Sequence, residues 1–156
     1  MRRQDREIRK FAEIIEIIQH CEIIHLGLTD QDGPYIVPLH FGFEICGESV
    51  CFYFHSAGEG RKVDILRTQP KVCFELDAPT KVQPGETVCG WTADFESVMG
   101  TGFAVILEDV KDKTHGLSCI MRNYGYKGIP KFQPDMLEKT LVIKLTADSI
   151  TGKRRG

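Results

Sequence analysis

Apolar residues near the start of the chain recur every three or four positions, which is the period of a helix face. This spacing predicts an amphipathic helix over residues 5–20. The same period recurs later and predicts a second helix over residues 111–124. The apolar positions are Ile8, Phe11, Ile14, Ile15, Ile17 and Ile18 in the first helix, and Leu117, Ile120, Met121 and Tyr124 in the second.

Between these helices the period changes to two, which is typical of strands. Turn-forming clusters at 29–34 and 46–49 divide residues 23–55 into three predicted strands. The middle strand is predicted to turn one face into the core, formed by Tyr35, Val37, Leu39, Phe41 and Phe43. The other face is mixed and consists of Ile36, Pro38, His40, Gly42 and Glu44. Because proline cannot donate to a strand ladder, Pro38 indicates a sheet edge, a bulge or a turn of the backbone toward a ligand.

The rest of the chain continues this alternation of short elements. Gly100 and Gly102 predict a kink in one long strand. About six strands in hairpin order, with flanking helices, predict a single α+β domain over residues 1–156 that forms a small antiparallel barrel. The other predicted elements are a short helix over 61–68, strands over 71–76, 95–109 and 140–147, and irregular segments over 77–92 and 125–134.

Composition and charge narrow the classes of function. The net charge of −2 argues against general affinity for nucleic acid. No run approaches the roughly 18 apolar residues of a membrane span. The charged start, MRRQDREIRK, does not have the form of a secretory signal. We therefore expect a cytoplasmic protein without nucleic-acid or membrane partners.

The chain has six cysteines but no C-x-x-C pair, so the usual zinc spacing is missing. Several of these cysteines lie in apolar runs, where a reduced thiol behaves as a small hydrophobe. No histidine and carboxylate have metal-ligand spacing on one predicted element. The sequence therefore predicts reduced, mostly buried thiols and no structural metal.

The stretch FHSAGEGRKVDIL ends a strand in small and hydroxyl residues and then places Arg61 beside Lys62 at a predicted helix start. Ser56, the loop amides and the positive end of the helix could all donate to a phosphate. Cations are unfavourable at a helix N-terminus unless an anion lies nearby. The stretch therefore favours a phosphate site over an ordinary loop before a helix with a solvated pair of cations.

Several blocks together make the sequence resemble a known family. The chain resembles the flavin-binding split-barrel proteins related to pyridoxamine 5′-phosphate oxidase, and within them the group named for nitroimidazole resistance. The order and spacing of the blocks cover nearly the whole chain. The blocks are MRRQDREI, PYIVPLHFGFE, FYFHSAGEGRKVDIL, KVCFELD, ESVMGTGFAVILED and ITGKRR.

The resemblance implies a homodimer that holds FMN in clefts between its subunits and acts on a small-molecule substrate. By resemblance, three groups of residues would contact the cofactor. These are Val37, Pro38 and Leu39 at the ring; His55, Ser56, Ala57, Arg61 and Lys62 at the phosphate end; and Trp91, Ser97, Val98 and Gly100 from the partner, with Lys153 and Arg154 near the tail.

Some of these residues have two interpretations. His55 either orders the phosphate loop or donates a proton beside the flavin as the catalytic residue. Trp91 is either packing or a wall of the flavin site, and the GKRR tail is either solvated or close to FMN. The resemblance favours an FMN-dependent oxidoreductase that reduces a small planar acceptor such as a nitro compound. The alternative is a non-catalytic flavin or haem binder, because fold does not settle function.

Overall fold

The computed structural model of the protein describes residues 4–155. Short 3₁₀ turns at Gln4–Arg6 and Val88–Gly90 accompany the regular elements. The helices of this range are α1 (Phe11–His20), α2 (Arg61–Thr68), α3 (Val110–Asn123) and α4 (Pro134–Lys139). The strands are β1 (Glu7–Ile8), β2 (Ile23–Asp30), β3 (Gly33–His40), β4 (Gly42–Cys46), β5 (Ser49–Ser56), β6 (Lys71–Asp77), β7 (Lys81–Gln83), β8 (Thr92–Leu107) and β9 (Leu141–Arg155).

The strands form one antiparallel sheet in the order β3-β2-β6-β8-β9-β5-β4, with β1 added to β9 and β7 added to β8. β3 and β4 lie at opposite ends of this order, yet only Phe41 separates them along the chain. A sheet whose two edges are joined by one residue must curl until those edges meet. Because no ladder joins β3 to β4 in the described part of the chain, the result is a split barrel.

Pairing between β8 and β9 is the longest ladder of the sheet and runs from Phe95 opposite Arg155 to Leu107 opposite Val142. Its register shifts between Thr101 and Gly102. A side chain at Gly102 would begin 2.3 Å from the carbonyl oxygen of Thr146, so only glycine lets the strands approach there. The predicted glycine kink is confirmed.

The core fills the inside of the barrel and extends outward beneath α3. Phe52 and Phe54 of β5 point inward with the other apolar faces, and Phe52 packs on Phe74 at 5.1 Å between ring centroids. Tyr53 of β5 points the other way, into a second cluster with Cys119. α3 touches β4 directly, since a side chain at Gly42 would begin 2.3 Å from the backbone of Cys119.

Local patterns predicted most elements. α2, both turns, and the alternation of β3 between inward and exposed side chains are confirmed. β3 lies at the edge of the sheet, which is the first of the alternatives for Pro38. In the described residues no helix is both long and apolar enough to cross a membrane. The first three residues of the charged start and Gly156 lie outside the described range.

Other predictions were wrong, two of them because strand pairing extended the sheet beyond the predicted strands. The first helix begins at Phe11 instead of residue 5, because Glu7 and Ile8 pair with β9. The described chain has nine strands instead of about six, and the last strand runs on to Arg155 because the predicted tail pairs with β8. Pro134 opens α4, where its missing N–H costs nothing, instead of only closing a loop.

The contact between α3 and β4 predicts the effect of one added methyl group. Gly42→Ala should lower the free energy of unfolding by about 1–3 kcal/mol, because the helix backbone must move. Gly58→Ala is the matched control, since its added carbon meets no atom within 4 Å. The control should leave stability unchanged or raise it by about 0.4–1 kcal/mol. Urea unfolding measures both, and equal stabilities would contradict this packing.

Candidate functional site

The loop between β5 and α2 presents backbone N–H groups at a helix start. Ser56 ends β5 and is half-buried, and Ala57 and Gly60 are exposed. Gly60 has φ of 131°, a conformation that favours glycine, and no side chain caps the helix there. Val63 and Asp64 donate their N–H groups to the Gly60 carbonyl, which leaves the amides of Arg61 and Lys62 available to an anion.

Lys62 lies in the first turn of α2 and is half-buried. Burial lowers the pKa of its ammonium group. Among the described residues it has no hydrogen-bond or ion-pair partner, although a buried charge is costly unless it is paired. The first turn of α2 thus carries an unneutralised positive charge next to free amides.

Arg61, in contrast, already has a carboxylate partner. Its Nε and Nη2 donate to the two oxygens of Asp30 at 2.9 and 3.0 Å, and its guanidinium lies 4.7 Å from the Tyr35 ring centroid. The hydrogen bond from Arg61 lowers the pKa of Asp30. Arg61 therefore does not need an external anion, because Asp30 supplies the negative charge.

His55 lies on a different face from the inward side chains of β5. Phe54 points into the barrel, so its neighbour His55 points outward on the same side as Tyr53, beneath α3 and α4. There it lines a cavity of about 230 Å³ with apolar side chains such as Leu117 and Phe132. The side chain of His55 therefore lies on the opposite face of β5 from the barrel core.

An open groove of about 670 Å³ crosses the outer face of the sheet, over β3, β2, β6, β8 and β9. Its walls are mainly apolar, and Ile36 and Met99 are 67% and 56% exposed there. His25 Nδ1 lies 3.1 Å from Glu75 Oε2 in this groove. Burial and the nearby Asp77 raise the pKa of Glu75, while His25 acts in the opposite direction.

The three residues predicted at the ring occupy the edge strand β3. Val37 and Leu39 are half-buried and pack against the core, whereas Pro38 is exposed on the outer face. Pro38 lines a shallow depression with His25, next to the groove. Of the three, Pro38 is the one whose side chain faces outward.

The residues predicted to come from a partner subunit lie on β8 or just before it. Trp91 is 56% exposed, and Ser97 pairs in register with Lys153. Val98 is fully buried in the barrel, so its side chain cannot reach a ligand outside, while Gly100 lines the groove. Of these residues, Gly100 shares the groove with β2 and β3.

Both predicted tail residues have contacts within the chain. Arg154 bonds Glu96 at 2.5 Å and lies 3.7 and 3.9 Å from Glu13 and Glu16. Lys153 lies 5.1 Å from the ring centroid of Phe95. The tail is therefore not free in solvent, the first of its two interpretations, because strand pairing and these contacts hold both side chains. Its contact with FMN stays a prediction.

One chain does not bring the two ends of the predicted site together. Ser56 pairs with Leu141, whereas Ser97 pairs with Lys153 at the other end of the β8–β9 ladder. Ser97 and Leu107 are ten positions apart on β8, which at the rise of a strand is about 33 Å of strand length. Along the ladder of one chain, the two ends of the predicted site are therefore well separated.

The cofactor site predicted from the sequence did not include His25, Ile36, Glu75 or Met99, although all four line the groove. A signal was present as alternation, because His25, Ile36 and Glu75 each lie between residues that pack in the core. Alternation shows which residues face outward, but it does not show which strands become neighbours.

Comparison with known proteins adds to this geometry. The model of the pyridoxamine 5′-phosphate oxidase family matches residues 11–154. The protein belongs to this family. The resemblance drawn from the sequence blocks is thereby confirmed, and the chain is one of a family of flavin-binding split barrels. Among the curated proteins, none matches the chain.

Solved structures of similar fold agree with membership of the pyridoxamine 5′-phosphate oxidase family. A candidate 5-nitroimidazole antibiotic resistance protein from Bacteroides thetaiotaomicron is 31% identical, with a TM-score of 0.82 over 95% of this chain and 86% of that one. The flavocytochrome Anf3 from Azotobacter vinelandii is 19% identical, with a TM-score of 0.81 over 100% and 72%. A FAD and haem binding protein from Mycobacterium smegmatis is 13% identical, with a TM-score of 0.78 over 96% and 73%.

The unpaired charge of Lys62 predicts a measurable effect in this family member. Lys62→Met should raise the free energy of unfolding at neutral pH, because the folded state no longer buries an ammonium group. The gain should shrink as the pH rises toward 10.5, the ordinary pKa of lysine, since the wild-type side chain then loses its charge in both states.

Inorganic phosphate distinguishes an anion site from a merely buried lysine. Phosphate should raise the thermal midpoint of the wild type more than that of Lys62→Met. The exposed Lys131 gives the control variant Lys131→Met, which should respond to phosphate as the wild type does. If phosphate raised the thermal midpoints of all three proteins equally, the first turn of α2 would not be an anion site.

Proposed function

We propose that the protein binds FMN, with the phosphate at the loop between β5 and α2, and reduces a small planar acceptor such as a nitro compound. The observation that carries the proposal is the half-buried, unpaired Lys62 beside the free amides of α2. Support for the acceptor comes from the 31% identity to the candidate 5-nitroimidazole antibiotic resistance protein.

Different parts of the chain would bind the phosphate and the ring of FMN. Lys62 and the α2 amides bind the phosphate, Ser56 adds a hydroxyl, and Arg61 contributes by sharing its contact with Asp30. When bound, FMN supplies the hydride-transfer chemistry. The open apolar groove gives a planar ring a surface to lie on and limits the access of water.

Two histidines are candidates to supply a proton to the reduced acceptor. His25 lies in the groove, hydrogen-bonded to Glu75, so a proton could pass between the pair. His55 lies beneath α3 and α4 in a cavity lined mainly by apolar side chains. The groove position favours His25 as the proton donor and leaves His55 the role of ordering the loop.

We further propose that the protein is a homodimer with the cofactor at the subunit boundary. The outer face of β8 exposes Met99, Phe103 and Val105 at 56%, 51% and 49%, and Ile36 of β3 is 67% exposed. A contiguous apolar face of this kind is characteristic of an interface. A two-fold axis would also bring the β8–β9 end of one chain to the α2 end of the other.

A cytoplasmic location is part of the proposal. The six cysteines, at positions 21, 46, 51, 73, 89 and 119, are all free thiols in the described chain. Free thiols persist in reducing compartments, whereas secreted domains usually use disulfides.

The second candidate function is a flavin or haem binder without turnover. Proteins of the same fold include a flavocytochrome and a FAD and haem binding protein, so the fold is compatible with either role. Turnover separates the two: a reductase oxidises a nicotinamide donor when a nitro acceptor is present, and a binder does not.

The test measures FMN binding and turnover on the same preparations. Lys62→Met should weaken FMN binding about 10- to 100-fold, the loss expected of one charge-assisted hydrogen bond, while Lys131→Met should not. Wild type should reduce a nitroimidazole at the expense of NADH or NADPH. Failure to bind FMN would overturn the whole proposal, and binding without turnover would leave the carrier function.

The same assay separates the two histidines. His25→Gln should lower turnover about 10²- to 10⁴-fold with FMN still bound, whereas His55→Gln should keep most of it. The reverse result would make His55 the proton donor. Flavin absorbance checks occupancy in each variant.

The dimer predicts the effect of a charge on the outer face. Met99→Glu should shift the protein toward a monomer in light scattering, because a carboxylate would have to be buried between subunits. Ile45→Glu is the control, since Ile45 is 55% exposed but lies on β4, away from this face. A stable wild-type monomer that binds FMN would contradict the dimer.

A further inference from the structure

Three side chains of different chemistry converge on the outer side of β4. Glu44 lies on β4, and His115 and Cys119 lie one turn apart on α3, where residues four apart share a face. His115 Nε2 lies 2.9 Å from Glu44 Oε2 and 3.7 Å from Cys119 Sγ. All three donor atoms lie within 4.8 Å of one another.

Two glycines make this convergence possible. A side chain at Gly42 would collide with the backbone of Cys119, and one at Gly116 would begin 2.7 Å from the Tyr53 ring and 2.8 Å from Val142. Without side chains at these positions, α3 lies directly on the sheet. The two donor atoms of the helix thus reach the carboxylate of the strand.

Neighbouring groups hold two of the three side chains in place. The Tyr53 hydroxyl donates to Glu44 Oε1 at 2.5 Å, which leaves Oε2 directed toward His115. Arg122 Nη2 donates to Cys119 Sγ at 3.0 Å. Burial raises the pKa of this thiol, and the hydrogen bond from Arg122 opposes that effect. Such outer hydrogen bonds orient ligands and tune metal sites.

The arrangement does not suit nucleophilic catalysis. A cysteine, histidine and carboxylate relay uses the two ring nitrogens separately, one for each partner. Here both partners approach the same nitrogen, Nε2, and Cys119 is only 1% exposed. Atoms that converge on one point instead match the ligands around an ion.

We propose that Glu44, His115 and Cys119 form a binding site for a divalent cation of borderline softness, with Zn²⁺ as the best match. Thiolate, imidazole and carboxylate are the ligands that Zn²⁺ takes, and tetrahedral bonds of ordinary length put such atoms about 3.3–3.6 Å apart. The observed separations of 2.9 and 3.7 Å need only small adjustments. His115 is half-exposed and opens the site to solvent, with one position left for water.

The sequence predicted no structural metal, because no single predicted element carries ligands at the right spacing. In this site Glu44 and His115 are 71 positions apart and lie on different elements, so no local motif reveals it. It is independent of the flavin proposal, since its residues come from β4 and α3 and none of them lines the groove.

The experiment titrates the reduced, chelator-treated full chain with Co²⁺, a coloured substitute for Zn²⁺. We expect a single bound ion with the intense visible bands of a tetrahedral site and a thiolate charge-transfer band, both lost when Zn²⁺ is added. Cys119→Ser should remove the charge-transfer band, and the half-exposed His115→Gln should weaken binding without unfolding the chain. Tyr53→Phe should weaken it about 10- to 100-fold, as expected for an outer hydrogen bond.

Matched controls make the result decisive. Cys73→Ser removes an exposed thiol elsewhere, and His20→Gln removes a histidine that also lies 2.9 Å from a carboxylate, that of Glu96. Neither control should change the Co²⁺ spectrum. Absence of a thiolate band in the wild type, or binding that persists unchanged in Cys119→Ser, would overturn the site; the latter would point to His25, Glu75 and Asp77.

Discussion

The long pairing between β8 and β9 is the contact on which the other parts of the barrel depend. β9 lies between β8 and β5 in the sheet and also receives β1, so it connects both halves of the barrel. The ladder can coil tightly because Gly100 and Gly102 leave room where the backbones come together. The same ladder sets the separation, along the strands, between the two ends of the candidate site.

The basic residues predicted to contact the cofactor differ in whether the chain already supplies them with a partner. Arg154 is surrounded by three carboxylates, Arg61 is held by Asp30, and Lys153 lies against an aromatic ring. These contacts stabilise the chain without any ligand. Lys62 differs, because it is half-buried and no described carboxylate lies beside it. A partly desolvated cation without a partner gains from an incoming anion, since part of its desolvation has already taken place.

Features that are set by neighbouring residues could be predicted from the sequence, whereas features that are set by contacts between distant strands could not. The bounds of α2 and the alternation of β3 follow from neighbouring residues, and both were predicted. Ile8 had the right period for the first helix, but its pairing with Gly152 drew it into the sheet. In the site, the loop from Ser56 to Lys62 is continuous and could be recognised. The pairing of Arg61 with Asp30 and the five-strand groove arise only when distant strands meet, and no local pattern specifies them.

The central place of β9 also has a consequence for synthesis on the ribosome. β9 is made after every other strand, yet β1, β5 and β8 all wait for it as a partner. Cys51 of β5 pairs with Thr146, which lies 95 positions later in the chain, and closing so long a loop is slow. Until then the growing chain exposes the apolar faces of β5 and β8, together with their unpaired edges. A nascent chain of this topology therefore exposes aggregation-prone strand edges until β9 has been made.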